Sequence, residues 1–209
     1  MLNTPLVVLD FETTGLSPAM GARITEVAAL RVVNGKVVDK LVTLVNCGVR
    51  IPREITQITG ITQTMVNTAP KASEVVPALI DFIGSDALAA HNASFDQKFL
   101  LAESQHLGLT PRHSHLVCSL LLSRRVLPQM HSHKLGELAK ALNIRFNGNA
   151  HRAEADAEVT VALITHLLKT LRHQHGCQHI DTALLVQINK QVAAKVPLFL
   201  KNRASNTNH

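Results

Sequence analysis

The first apolar run of the chain, PLVVLDF at residues 5–11, is interrupted only by an aspartate and ends at the Gly and Pro of TTGLSP. A short continuous run bounded by turn signals has the length and composition of a fully buried strand. Residues 22–33 (ARITEVAALRVV) and 36–45 (KVVDKLVTLV) flank Asn34-Gly35, a strong signal for a two-residue hairpin turn. From there to about residue 70 the sequence is polar and irregular and predicts no element. Val75, Val76, Leu79, Ile80 and Ile83 recur at helical spacing, so 71–83 reads as a helix. A short buried strand at 86–90, a helix at 94–107, a strand at 114–118 and a short helix at 119–127 follow. Leu135, Leu138, Ala139 and Leu142 give 133–142 one apolar face. After the loop NIRFNGNAHR a long helix is expected from about 153 to 173, and a last apolar helix over roughly 180–195. The tail KNRASNTNH reads as disordered. Strands in a meander, then strands alternating with helices, predict an α/β fold with a mixed five-stranded sheet covered by helices on both faces. The order of the strands is left open by this pattern.

Composition narrows the class. With 46% hydrophobic and 17% charged residues, the 209-residue chain has the makings of a buried core rather than of disorder. A formal charge of +6 suits a polyanionic partner, although many soluble proteins are basic. Three scattered cysteines, at 47, 118 and 177, read as reduced thiols. The start MLNTPLVVLD has no basic stretch, so it reads as a strand and not as a signal peptide. No apolar segment has the length of a membrane span, and a soluble, cytoplasmic protein is expected. The chain has no Trp and no Tyr. Any stacking on bases must therefore use Phe, His or Arg, and a tyrosine general base is excluded.

The candidate chemistry is acidic. Asp10 and Glu12 close the first strand two residues apart, so they project from one face while Phe11 points to the other. Asp96 falls in the first turn of the helix after strand 86–90, where an anion is favoured. His151 lies in the loop before the long helix and Asp156 in that helix's first turns. Each alone has an ordinary reading: a solvated strand end, a helix-start acid, a surface histidine. Together, four carboxylates converging on one point would raise each other's pKa unless cations sit among them. Mg²⁺ or Mn²⁺ takes oxygen ligands of this kind and keeps several waters. Two such ions roughly 4 Å apart suit phosphodiester hydrolysis, and an imidazole can accept the attacking water's proton near neutral pH.

Three stretches, LDFETTGL at 9–16, HNASFD at 91–96 and HRAEAD at 151–156, resemble in order and spacing the exonuclease motifs of the DnaQ-like DEDDh 3′–5′ exonucleases. That group includes the proofreading epsilon subunit of bacterial DNA polymerase III. ITGIT at 58–62 and SHKLGELAKALNI at 132–144 are weaker family-like stretches, and the resemblance covers about residues 5–170. It implies an RNase H-like fold, with an exonuclease domain over 1–175 and a C-terminal helix and flexible tail over 176–209. It implies two divalent ions, Mg²⁺ or Mn²⁺, with Asp10, Glu12 and Asp156 as direct ligands, Asp96 acting partly through water and His151 as general base. Thr13, Thr14 and Leu16 would line the pocket for the terminal nucleotide, with Thr59, His91, Asn92 and Phe95 as further contacts and Glu54 a weaker one. The implied substrate is the 3′ end of single-stranded DNA or RNA, in DNA repair, replication or proofreading.

Other features have plainer readings. His173, His175, Cys177 and His179 in HQHGCQH read as a solvated turn rather than a zinc site, since Gly176 interrupts the helix there. His113, His115, His131 and His133 read as surface or strand-edge histidines. Arg124, Arg125, Lys134, Arg145 and Arg152 could track phosphates but are equally a solvated surface. KVPLFLK at 195–201 faintly resembles the motif that docks replication proteins on a sliding clamp, and packing is the plainer explanation. Three functions stay open: a free-standing exonuclease, a proofreading subunit held by a DNA polymerase, and a nucleic-acid-binding protein without catalysis. The short tail favours the first, and intact carboxylates disfavour the third.

Overall fold

The apolar run near the start forms β1 (Leu6–Thr13), and in the computed structural model it is the middle strand of the sheet. The structure describes residues 2, 4–145 and 151–206. β2 (Ile24–Val33) and β3 (Lys36–Leu44) make the expected hairpin. Asn34 and Gly35 both take positive φ, 52° and 75°, as a tight two-residue turn between twisted strands requires. β1 pairs antiparallel with β2 and, on its other side, parallel with β4 (Ala87–Ala90). β4 in turn pairs parallel with β5 (Leu116–Cys118). The order β3-β2-β1-β4-β5 makes a mixed sheet of five strands.

The region from β3 to residue 70 is not irregular throughout, as its polarity suggested. It holds α1 (Arg53–Thr59) and α2 (Gln63–Asn67) around a small apolar cluster of Cys47, Ile51, Ile61 and Val66. Helices of one or two turns are too short to show a period, and local caps define them instead. Gly60 ends α1 at φ 73°, and the Thr62 hydroxyl accepts the Met65 N–H to start α2.

Alternation along β1 divides its side chains between two layers. Val7, Leu9 and Phe11 meet Val75, Leu79 and Ile83 of α3 (Ala72–Ile83) and Phe99 and Leu100 of α4 (Ser94–His106). Leu6 and Val8 belong to the opposite layer with Leu122 of α5 (Ser119–Val126), Leu138 of α6 (Leu135–Ala141) and Val161 and Leu167 of α7 (Ala153–His175). Parity places Asp10 and Glu12 on the α7 side. Of the loop NIRFNGNAHR, residues 146–150 lie outside the described residues.

One long terminal helix does not form. α8 (Thr182–Lys190) stops where Gln191 turns extended, and after a short 3-10 turn the chain enters α9 (Val196–Asn206). Pro197 falls in the first turn of this new helix, where its missing N–H and fixed φ are tolerated. Residues 201–206, expected to be disordered, continue α9, and 207–209 lie outside the described residues. Ile180, Leu184, Leu185, Ile188, Val196 and Leu200 join the same core as Leu6 and Val8. Among the described residues the cysteines are free thiols, and no helix is long and apolar enough to cross a membrane.

Candidate active site

Asp10 and Glu12 leave the C-terminal end of β1 on the α7 side, and the first turn of α7 brings Asp156 over them. One oxygen from each of the three carboxylates lies within 4.8 Å of the others. The helix approaches the sheet this closely because its inward positions there are small: Ala153 and Ala157 are both fully buried. Asp96 arrives from the opposite layer, in the first turn of α4. It is 3% exposed, and its Oδ1 accepts the N–H of Phe11 at 3.2 Å, the peptide between Asp10 and Glu12. It stands behind the trio, tied to the strand that carries two of its members.

The crowding shows in the proton affinities. Burial, followed by the charges of Asp96, Asp156, Glu12 and Glu26, pushes Asp10 well above the usual carboxylate range. Burial first, then Asp156 and Glu26, raise Glu12 to about 7, against the pull of Arg152. Asp96 is pushed up to about 8, chiefly by burial, although its own N–H and that of Phe11 oppose the shift. Asp156 is raised by burial while the His151 N–H holds it down. Such a site holds protons or cations near neutral pH. Its donors are hard carboxylate oxygens without sulfur, a match for a hard divalent ion. Among the described residues this is the one acid, His or Cys group compact enough to bind a metal, so the histidines around Cys177 do not gather into a site.

His151 precedes α7 in a left-handed conformation, φ 62°, with its side chain exposed. Its backbone N–H donates to Asp156 Oδ2 at 2.9 Å, which joins histidine and acid into one unit. Thr13 and Thr14 are buried, and their hydroxyls shape the turn after β1. Thr13 donates to the Gly15 carbonyl at 2.7 Å, and Thr14 accepts the Arg23 N–H at 2.9 Å. That turn thrusts Leu16 into solvent at 82% exposure. The Thr59 hydroxyl is spent on its own surroundings, donating to Ile55 O and accepting the Ile61 N–H. Phe95 is half-buried against Phe99, with ring centroids 5.0 Å apart. Asn92 is exposed at φ 69°. His91 has both ring nitrogens engaged: Nδ1 with Ser119 Oγ at 2.9 Å and Nε2 with His133 O at 3.0 Å. A carbonyl only accepts, so Nε2 carries the proton and Nδ1 accepts from the serine.

Sequence reasoning missed Glu26. It lies opposite Glu12 in the β1–β2 register and is 3% exposed. Arg152, counted above among scattered cations, grips it through Nε and Nη2, and the Ala153 N–H donates to it at 3.0 Å. The pair fastens the start of α7, and so His151 and Asp156, to β2. An acid inside an otherwise apolar strand, ARITEVAAL, was the available signal.

Comparison with known proteins agrees with this geometry. The exonuclease family model (RNase_T) matches residues 7–164. The chain is 34% identical over 192 residues to a PolC-type DNA polymerase III of Clostridium perfringens, covering 92% of this chain and 13% of that protein. It therefore spans a small part of the length of such relatives. Among solved structures, exonuclease X in complex with 5′-overhanging duplex DNA superimposes with a TM-score of 0.70 at 26% identity, covering 88% of this chain and 99% of that one. Exonuclease I of E. coli with a dT13 oligonucleotide, at 19% identity and a TM-score of 0.69 over 83% of this chain and 42% of that one, shares the fold. These neighbours have the RNase H-like fold, and a divalent metal is the cofactor the acidic cluster fits. The chain belongs to the exonuclease family.

Proposed function

We propose that the protein is a DEDDh-type 3′–5′ exonuclease that uses two Mg²⁺ or Mn²⁺ ions and releases 5′-mononucleotides from single-stranded or frayed 3′ ends of DNA, with RNA ends as a further substrate. One observation carries this reading above the rest: three carboxylates within 4.8 Å of one another at the end of the central strand, with His151 bonded to one of them. Asp10, Glu12 and Asp156 would hold the metal, and Asp96 would steady Asp10 and Glu12 from behind through the Phe11 peptide. A divalent metal bound there supplies positive charge that acidifies the attacking water and offsets charge on the leaving oxygen. His151, exposed beside the acids, takes the water's proton. Leu16, protruding beside the acids, wedges against the terminal base and favours an end already unpaired, since unpairing costs a few kcal/mol.

A 5′-labelled oligomer should yield a descending ladder, faster from single strands or mismatched ends than from blunt duplexes. A circular single strand should survive. Cutting of the circle would mean an endonuclease and would sink the reading. A proofreading role beside a polymerase is the second reading, favoured by the 34% identity to part of a PolC-type DNA polymerase III. Three free thiols accord with a cytoplasmic location.

A further inference from the structure

Arg124 and Lys134, ordinary surface cations by sequence, face one cleft. It lies between the start of α5 and the segment 131–135, has a volume of about 590 Å³, and is lined also by His91, Asn92, His131, His133 and Leu135. No Asp or Glu lines it. Both cationic side chains are exposed, and among the described residues neither has a hydrogen-bond or ion-pair partner. The neighbouring Arg125 behaves differently, with its guanidinium donating to the Gln191 and Leu121 carbonyls. One arginine of the pair serves the fold and the other is left to the cleft. Two cations lining one cleft with no acid among its walls make it a positively charged surface, which a polyanion complements.

The cleft is rigid on the side towards the carboxylates. His91 ties β4 to Ser119 and to the His133 carbonyl, and burial first, with Arg124 also contributing, lowers its pKa to about 4, so it stays neutral. Its neighbour Asn92 takes a left-handed conformation that few residues other than glycine adopt. The same short segment runs on to Asp96, so the cleft and the acidic site share a wall. No Phe lines the cleft, which points to recognition of the backbone rather than of stacked bases.

We infer that this cleft holds the sugar–phosphate backbone of the substrate strand on the 5′ side of the nucleotide being removed, with Arg124 and Lys134 on its phosphates. The inference rests on the nuclease reading above, but it can fail separately. The test measures binding of fluorescein-labelled dT10 and dA10 in EDTA, where binding is read without turnover, across a salt series. Wild type is compared with Arg124→Ser/Lys134→Ser and with Lys36→Ser/Lys169→Ser. The latter removes the same charge from the far end of the sheet, beside the β2–β3 turn and on the outer surface of α7. For single strands each lost phosphate contact flattens the slope of log affinity against log salt by about 0.7, so the cleft variant should lose about 1.4. Its affinity should fall equally for both sequences, while the far-end variant keeps the wild-type slope. Equal slopes in all three proteins, a loss confined to one sequence, or no measurable wild-type binding would overturn the cleft. Absence of cleavage by wild type with Mg²⁺ or Mn²⁺, together with intact binding and slopes, would instead overturn the nuclease reading.

Discussion

Position 10 carries a carboxylate that burial and four neighbouring acids all push towards the protonated form. Substitution by asparagine removes one source of that repulsion and one metal ligand together. We predict that Asp10→Asn abolishes cleavage, while the metal-free variant melts no lower than wild type. Melts in EDTA and in Mg²⁺ check this, and near-wild-type activity would show that the site is misplaced. The same raised values set a pH window. Glu12 moves from an ordinary value of 4.5 to about 7, and Asp96 from 3.8 to about 8. An acid whose folded pKa is raised favours folding below its unfolded pKa, and that advantage is lost as pH rises through the folded one. Metal-free protein should therefore lose stability between about pH 4 and 8, and Mg²⁺ should offset the loss at the upper end. His91 has the opposite sign. Its pKa falls from 6.5 to about 4, so its contribution is complete above 6.5 and is lost as pH drops towards 4. His91→Gln should flatten the acid limb of a Tm-versus-pH curve even if it lowers Tm throughout. An unchanged limb would show that His91 is not the group that titrates. At this scale the acids were legible because parity and motif spacing give side-chain direction. The commitments of Thr13, Thr14, Thr59 and His91 were not, because a hydroxyl or imidazole finds its partner only after the turns have closed.

Among the elements, the junction before α7 has the most to hold in place. His151 departs from ordinary backbone geometry, and Asp156 must sit over β1. Arg152 and Glu26 resolve this by locking the helix start to β2, with the Ala153 N–H completing the carboxylate's partners. Glu26 is almost wholly buried whereas Arg152 is partly exposed, so loss of the arginine is the costlier change. Arg152→Ala leaves a buried carboxylate with one remaining donor and should destabilise by about 2–4 kcal/mol. It should also lower kcat more than it raises KM, because the base and a ligand lose their common anchor. Denaturant unfolding and steady-state kinetics on a single-stranded oligomer measure the two effects. A stability loss with unchanged kcat would make the clamp purely structural. For comparison, His151→Ala removes the base itself and should slow turnover by roughly 10²–10⁴-fold, with metal affinity little changed by calorimetry. The long, strongly apolar α7 was readable from its sequence, and so was the hairpin, from Asn34-Gly35. α1 and α2 were not, since seven and five residues give periodicity nothing to repeat. Nor was the Glu26–Arg152 pair, whose members lie 126 residues apart.

Across the whole molecule the site depends on a topology that no local pattern contains. β4 joins β1 on the side away from β2, so Asp96 and the carboxylates of β1 meet from opposite layers of one sheet. The layer under α7 is closed by the C-terminal helices. Val196 is fully buried and Leu200 is 2% exposed, whereas Leu198 is 61% exposed between them. The apolar cluster that resembles a clamp-docking motif thus commits Val196 and Leu200 to the core and leaves Pro197 and Leu198 exposed. If α9 is part of the core, Leu200→Ala should cost about 2–5 kcal/mol, as other buried leucines do. For a chain of this size that corresponds to a fall in Tm of roughly 4–20 °C. Leu198→Ala should leave Tm within about a degree or two, because it removes little buried surface. Both variants should still cleave at temperatures well below their melts, since neither position touches the acids. An unchanged Tm for Leu200→Ala would make 176–209 an appendage that the exonuclease domain does not need. A single cooperative transition shifted downward would instead make α8 and α9 part of the unit that holds the sheet, and through α7 the site, in shape.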